Sequence, residues 1–192
     1  MIKYLLDNHY EITTYKKGEV IYRAQTMPRA VYFIKTGKVS MVTVNAEGRE
    51  FIQGIFKAGE YFGEPALLLN KKYLAHTIAT QNTELIAVNR AQFLSLLEAN
   101  REFSMDLIHT MSHRLFYKSM MLEELANEHA DHRISTLLNY LLAELHPGEE
   151  LRLTRQQLAD MSGLRVETVI RTIKKLSGQQ QFKLVKGKLI KL

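Results

Sequence analysis

Three charged side chains late in this 192-residue sequence, Glu167, Arg171 and Lys174, follow the i, i+4, i+7 spacing of one helical face. Val169, Ile173 and Leu176 repeat that interval on another face, so a helix here would bury one edge and offer the charges on the other. A guanidinium presented this way can pair bidentately with the O6/N7 edge of guanine, and a carboxylate can accept from the exocyclic amine of cytosine. Each such contact is worth about 1–3 kcal/mol of base discrimination. Solvated surface charge is the competing interpretation, and the charge distribution weighs against it. Residues 151 to 192 hold 10 Lys+Arg against 2 Asp+Glu, whereas residues 1 to 150 hold 16 against 18. The formal charge of +6 is therefore concentrated on about a fifth of the protein, as a polyanion partner requires.

Other chemistries find less support. The absence of cysteine removes disulfides, thiolate nucleophiles, cysteine-ligated iron–sulfur clusters and cysteine zinc sites together. His109 and His113 have the i, i+4 spacing of a helical metal pair, but two histidines on a polar helix face usually bind nothing. His76 alone cannot supply the several histidines and carboxylate that a metal oxygenase needs, and an ordinary surface or loop role outweighs haem ligation. Neither a phosphate-cradling glycine loop nor a nucleophile elbow is present, so an enzyme is not expected. Apolar runs such as Ala66 to Leu69 and Leu85 to Val88 are far short of the roughly 20 residues that span a bilayer. Met1 to Tyr10 is too polar for a secretory signal, and the expectation is a cytoplasmic protein with no membrane partner.

The elements that would position the C-terminal charges can be read locally. Thr154-Arg155-Gln156-Gln157 is a capping box that starts a short helix, and Gly163 in Ser162-Gly163-Leu164 suits a left-handed interhelical turn. A second helix should run from Arg165 to Leu176, giving a helix-turn-helix whose second member enters a major groove. Phe182 to Leu192, centred on Lys186-Gly187-Lys188, reads as a β-hairpin wing whose lysines meet phosphates. Upstream, Glu11 to Asn89 consists of short β-rich runs, clearest at Ala30 to Lys35, Lys38 to Val44 and Arg49 to Phe56, with a turn at Asn45-Ala46-Glu47-Gly48. Such spacing suggests a barrel, roll or sandwich.

Between these regions lie a short helix around Phe93 to Leu97, a long one from about Glu102 to Asn127, and another from Asp131 to Leu145 ended by His146-Pro147-Gly148. The long helix carries Ile108, Met111, Leu115, Leu122 and Leu125 at heptad a/d intervals, with Lys118 in the remaining seam position. A seam of this kind wants a second helix, so a homodimer is favoured over an amphipathic helix packed on its own domain. Phe103, Leu107, Phe116 and Met121 would then serve the intramolecular face.

The run Leu153 to Ala159 with Gly163-Leu164-Arg165-Val166-Glu167-Thr168-Val169-Ile170-Arg171 resembles the winged helix-turn-helix signature of the Crp/Fnr family. Gly18-Glu19, Gly37, Gly48, Gly59 and Phe62-Gly63-Glu64 resemble that family's β-roll glycines in order and spacing, so the resemblance spans nearly the whole chain. It implies an α+β fold: a cyclic-nucleotide-binding-type β-roll over residues 1–100, a dimerisation helix over 101–128 and a winged helix-turn-helix over 129–192. It further implies a sequence-specific DNA-binding transcription regulator that meets a near-palindromic duplex operator, with RNA polymerase as a further partner. By the resemblance, Glu167 and Arg171 are the principal base-reading residues. Val166 replaces an arginine of the cyclic-AMP receptor branch and resembles the Fnr branch, and Ile170 replaces that branch's serine. Thr154, Arg165, Thr168, Lys174, Lys186 and Lys188 complete the expected DNA-contacting set.

In cyclic-nucleotide members of the family, a Gly-Glu pair is followed by an Arg-Ser or Arg-Thr pair that grips the phosphate. Here Gly63-Glu64 is followed by Leu74-Ala75, so ordinary cyclic AMP binding is not expected, because a cyclic phosphodiester would lose its charge partner. Glu64 is either a hydroxyl acceptor or a structural residue. Lys118, with Ser119 beside it, falls where the family places a hydroxyl residue against the bound base. It would contact a small anionic or polar effector, or else extend to water and set helix register. No cofactor is certain and no iron–sulfur cluster is expected. A cyclic-nucleotide-binding regulatory module without a DNA role is the alternative, and it leaves the basic C-terminus unexplained.

Overall fold

The computed structural model describes residues 1–126, 129–178 and 181–192. The chain folds as two compact units, residues 1–108 and 109–192.

In the first unit, α1 (Ile2–Asp7) precedes β1 (Ile12–Tyr15), β2 (Val20–Tyr22), β3 (Ala30–Thr36), β4 (Lys38–Val44), β5 (Glu50–Lys57) and β6 (Tyr61–Phe62). After these come α2 (Glu64–Leu69), β7 (His76–Ala79), β8 (Thr83–Asn89), α3 (Arg90–Ala99) and the start of α4 (Arg101–Ala126). The strands form two antiparallel four-stranded sheets, ordered β1-β8-β3-β6 and β2-β7-β4-β5. Tyr22, Ile34, Val39, Phe56, Phe62, Tyr73 and Leu85 form a shared buried cluster, in which Tyr22 and Tyr73 stack with ring centroids 3.6 Å apart. The expected strands are present, the third shifted by one residue. At the β4–β5 turn, Asn45 Oδ1 accepts from the Glu47 and Arg49 amides, and Gly48 has φ 78°. Gly37, between β3 and β4, is required sterically: at φ 100° an added Cβ would lie 2.3 Å from Thr83 Oγ1.

An Asn89/Gln92 capping box starts α3. Phe93 of α3 and Phe103 of α4 pack edge to face at 6.0 Å, and both lie against Phe33 of β3. Tyr61 donates to Asp106 Oδ2 at 3.3 Å. These contacts tie the first turns of α4 to the roll.

The second unit contains the remainder of α4, then α5 (Ala130–Ala143), α6 (Arg155–Ser162), α7 (Val166–Leu176), β9 (Phe182–Val185) and β10 (Lys188–Lys191). Ile134, Leu137 and Leu138 of α5, Leu158 of α6, Val169 and Ile173 of α7, and Phe182 and Leu189 of the hairpin are buried. The expected end of α4 at Asn127 lies outside the described residues. α5 is shorter than expected because Glu144 caps it and the Leu145 amide turns back to the Leu142 carbonyl at 3.0 Å. One packing expectation is corrected. Phe103, Leu107 and Met121 are buried, but Phe116 is 70% exposed and does not serve an intramolecular face.

Candidate nucleic-acid interface

Thr154 caps α6 reciprocally with Gln157: the Gln157 amide donates to Thr154 Oγ1 at 3.1 Å, and the Thr154 amide donates to Gln157 Oε1 at 2.9 Å. Gly163 ends α6 at φ 68°, and the Leu164 amide closes the turn on the Ala159 carbonyl at 3.2 Å. The second helix begins at Val166, with Arg165 as its N-cap rather than its first helical residue. Val169, Thr172, Ile173 and Leu176 are buried on its inner face. Arg165, Glu167, Ile170, Arg171 and Lys174 are exposed, whereas Val166 and Thr168 are half-buried. Glu167 in the first turn and Lys174 and Lys175 in the last complement the helix dipole.

Several partners were not legible beforehand. Asp131 of α5 accepts from Thr172 Oγ1 at 3.2 Å and pairs with Lys175. The Lys175 ammonium above all holds the Asp131 carboxyl below its ordinary range, against desolvation and with help from the Thr172 hydroxyl and the field of Arg171. Arg133 donates to the Glu124 carbonyl of α4 from Nε at 3.3 Å and from Nη2 at 3.2 Å, and to the Ser162 carbonyl from Nη1 at 3.4 Å. One guanidinium thus joins the long helix to the end of α6. No local spacing announces a contact of this kind.

The wing is a two-residue hairpin with Lys186 and Gly187 at its tip, both at positive φ (48° and 79°), as a type I′ turn requires. It gains a short third edge through the Glu150–Ile190 bridge and the Leu151 amide bonded to the Leu189 carbonyl at 2.9 Å. Arg155 Nη2 donates to the Gly187 carbonyl at 2.8 Å and steadies the tip. Lys186 is exposed, while Lys188 pairs with Glu150 at 2.8 Å.

The expected effector residues are distributed as follows. Gly63, at φ 94°, is the N-cap of α2, where a Cβ would lie 3.2 Å from the Ala30 carbonyl oxygen. Glu64 is buried in the first turn of α2. Leu74 is 79% exposed and Ala75 only 2%, so Leu74 lies on the surface and the small Ala75 is the residue turned inward. His76 opens β7, and its Nδ1 accepts from the Ala24 amide at 3.4 Å. On α4, Lys118 and Ser119 are exposed, and desolvation followed by the nearby Arg114 lowers the Lys118 ammonium below its ordinary value. Of the heptad residues, Ile108, Leu115, Leu122 and Leu125 are exposed and Met111 is half-buried. The His109 and His113 rings lie 4.5 Å apart, and no cluster of three or more metal-ligating side chains occurs among the described residues. Among those residues no helix is long and apolar enough to cross a membrane.

A β-roll followed by a long helix and a capped helix-turn-helix with a basic wing defines a DNA-binding transcription regulator. The sequence profile described as "Cyclic nucleotide-binding domain" matches residues 12–100, and that described as "Crp-like helix-turn-helix domain" matches residues 132–192. The chain belongs to the Crp/Fnr family of transcription regulators. It is 28% identical to the cyclic AMP receptor protein of Thermus thermophilus over 94% of this chain and 83% of that protein. It is 29% identical to the cAMP-activated global transcriptional regulator CRP of Haemophilus influenzae, over 89% and 79%. Its fold is shared by a CooA variant from Carboxydothermus hydrogenoformans, with a TM-score of 0.79 at 19% identity over 97% of this chain and 85% of that one.

Proposed function

We propose that the protein acts as a homodimer on a near-palindromic operator and responds to a small anionic or polar effector rather than to cyclic AMP gripped through an arginine. The observation that carries the dimer is the exposed aliphatic seam of α4, formed by Ile108, Leu115, Leu122 and Leu125 around half-buried Met111. A seam of that length is a liability unless a second copy covers it. Two recognition helices about 34 Å apart would then meet successive major grooves on one side of the duplex. Sedimentation at micromolar concentration should give a dimer, and Leu122→Glu should dissociate it. A wild-type chain that sediments as a stable monomer overturns the assignment.

The effector proposal is supported by Leu74, an exposed aliphatic residue where the resemblance places a phosphate-gripping arginine. Lys118 is the cation that would meet an anionic ligand, and Ser119 would add a hydroxyl beside it. Calorimetry with cyclic AMP should show no tight binding. Thermal-shift screening of anionic metabolites on wild type and Lys118→Met should identify ligands that depend on Lys118. We further read the chain as a non-enzymatic cytoplasmic regulator without an iron–sulfur cluster, acting with RNA polymerase; the Crp-like helix-turn-helix and the absence of cysteine support this.

A further inference from the structure

Ile170 is the anomaly of the recognition helix. It follows Glu167 by three residues and precedes Arg171 by one, so it shares their outward face, and it is 37% exposed in the most basic part of the chain. Neither packing nor propensity accounts for it: Val169 and Ile173 already fill the inner face, and a β-branched residue on an exposed helix surface is a modest cost. Its neighbours on that face, Arg165, Glu167, Arg171 and Lys174, are all charged. Val166, one turn earlier in the same row, extends the apolar strip toward the helix N-terminus, the part of a recognition helix that lies deepest in the groove.

A major groove offers an aliphatic side chain one apolar target, the methyl group on C5 of a pyrimidine, which projects into the groove from thymine. We propose that Ile170 reads a pyrimidine C5-methyl group at a base pair next to those met by Glu167 and Arg171, and so favours thymine at that position of each half-site. This rests on the operator-binding function proposed above and adds a specificity determinant to it. The charged residues select donors and acceptors on base edges, whereas Ile170 selects by burying a methyl group, which no charged neighbour can do. Because the contact buries one methyl, its loss should weaken binding roughly fourfold per half-site.

The test begins with an operator obtained by selection from random duplexes using the full chain. Each thymine is then replaced singly by deoxyuridine, which deletes the methyl and leaves every hydrogen-bonding group in place. Wild type should lose about fourfold in affinity at one thymine per half-site. Ile170→Ala should bind the thymine and deoxyuridine operators equally well. Cytosine and 5-methylcytosine at the same position separate the two sources of the methyl: wild type should prefer the methylated base and Ile170→Ala should not. Because Ile170 is 37% exposed and outside the buried core, Ile170→Ala should lower the melting temperature only modestly and keep the salt-dependent binding to random DNA. A wild type indifferent to every deoxyuridine substitution, or a penalty that persists undiminished in Ile170→Ala, overturns the proposal and leaves operator binding standing. Failure of selection to enrich any sequence overturns both.

Discussion

Replacing Arg171 with alanine should sharply reduce sequence preference while sparing nonspecific affinity, and the wing lysines should behave in the opposite way. Arg171 is exposed on the outer face of α7, and the Asp131 carboxylate that feels its charge is already engaged by Lys175 and Thr172. Its guanidinium therefore remains available to a guanine edge. A bidentate contact is worth about 1–3 kcal/mol, so operator-over-random discrimination should fall by roughly 5- to 150-fold per half-site in Arg171→Ala. Lys186, exposed at the wing tip, would contribute one phosphate contact. Lys186→Ala should weaken all sequences alike and reduce the slope of log affinity against log salt by about 0.9 per subunit. Lys188 must first leave Glu150, and a surface pair of this kind is worth about 0–1 kcal/mol. Lys188→Ala should therefore cost less than Lys186→Ala, and Glu150→Gln should raise affinity for every duplex by up to roughly fivefold. Fluorescence anisotropy with operator and scrambled duplexes across a salt series measures all four variants. Full discrimination retained by Arg171→Ala would refute the placement of α7 in the groove.

Thr154→Ala removes one side of the α6 capping box and should lower stability by about 1 kcal/mol in denaturant titration, with the exposed face of α7 unchanged. Gly37→Ala, which would drive a Cβ to 2.6 Å from the Thr83 backbone at a left-handed φ, should destabilise the roll by about 2–4 kcal/mol, read as a lowered melting temperature. The Asp131 carboxyl is depressed by Lys175 and Thr172, so its stabilising contribution is complete above its unfolded value, about pH 4, and disappears as pH falls through the lower folded value. Asp131→Asn should therefore flatten the acid limb of the stability curve slightly; the effect is small because the pair is exposed, and an unchanged acid limb would count against the pairing.

Much of the DNA-facing half was legible in the amino-acid sequence because its signals are local. The Thr154/Gln157 box, the turn glycine Gly163, the alternation of buried Val169 and Ile173 with outward Glu167 and Arg171, and the Lys186-Gly187 turn each depend on residues a few positions apart. Helical period, cap chemistry and positive φ write these features directly into the chain. The heptad on α4 was legible for the same reason, and its Ile108, Leu115, Leu122 and Leu125 are exposed. Tertiary structure alone decided which charges are already committed. Lys175 to Asp131 spans 44 residues, Lys188 to Glu150 spans 38, and Arg155 to the Gly187 carbonyl spans 32. Such pairs join separate elements, and no periodicity along the chain encodes them. The same holds for the outward turn of Leu74, in the bend before β7, and for the exposure of Phe116 on α4, which depend on the path of the chain and on what packs against each side. Local residue types determined the elements and the kind of chemistry they carry, whereas packing between distant elements determined which side chains remain available for DNA.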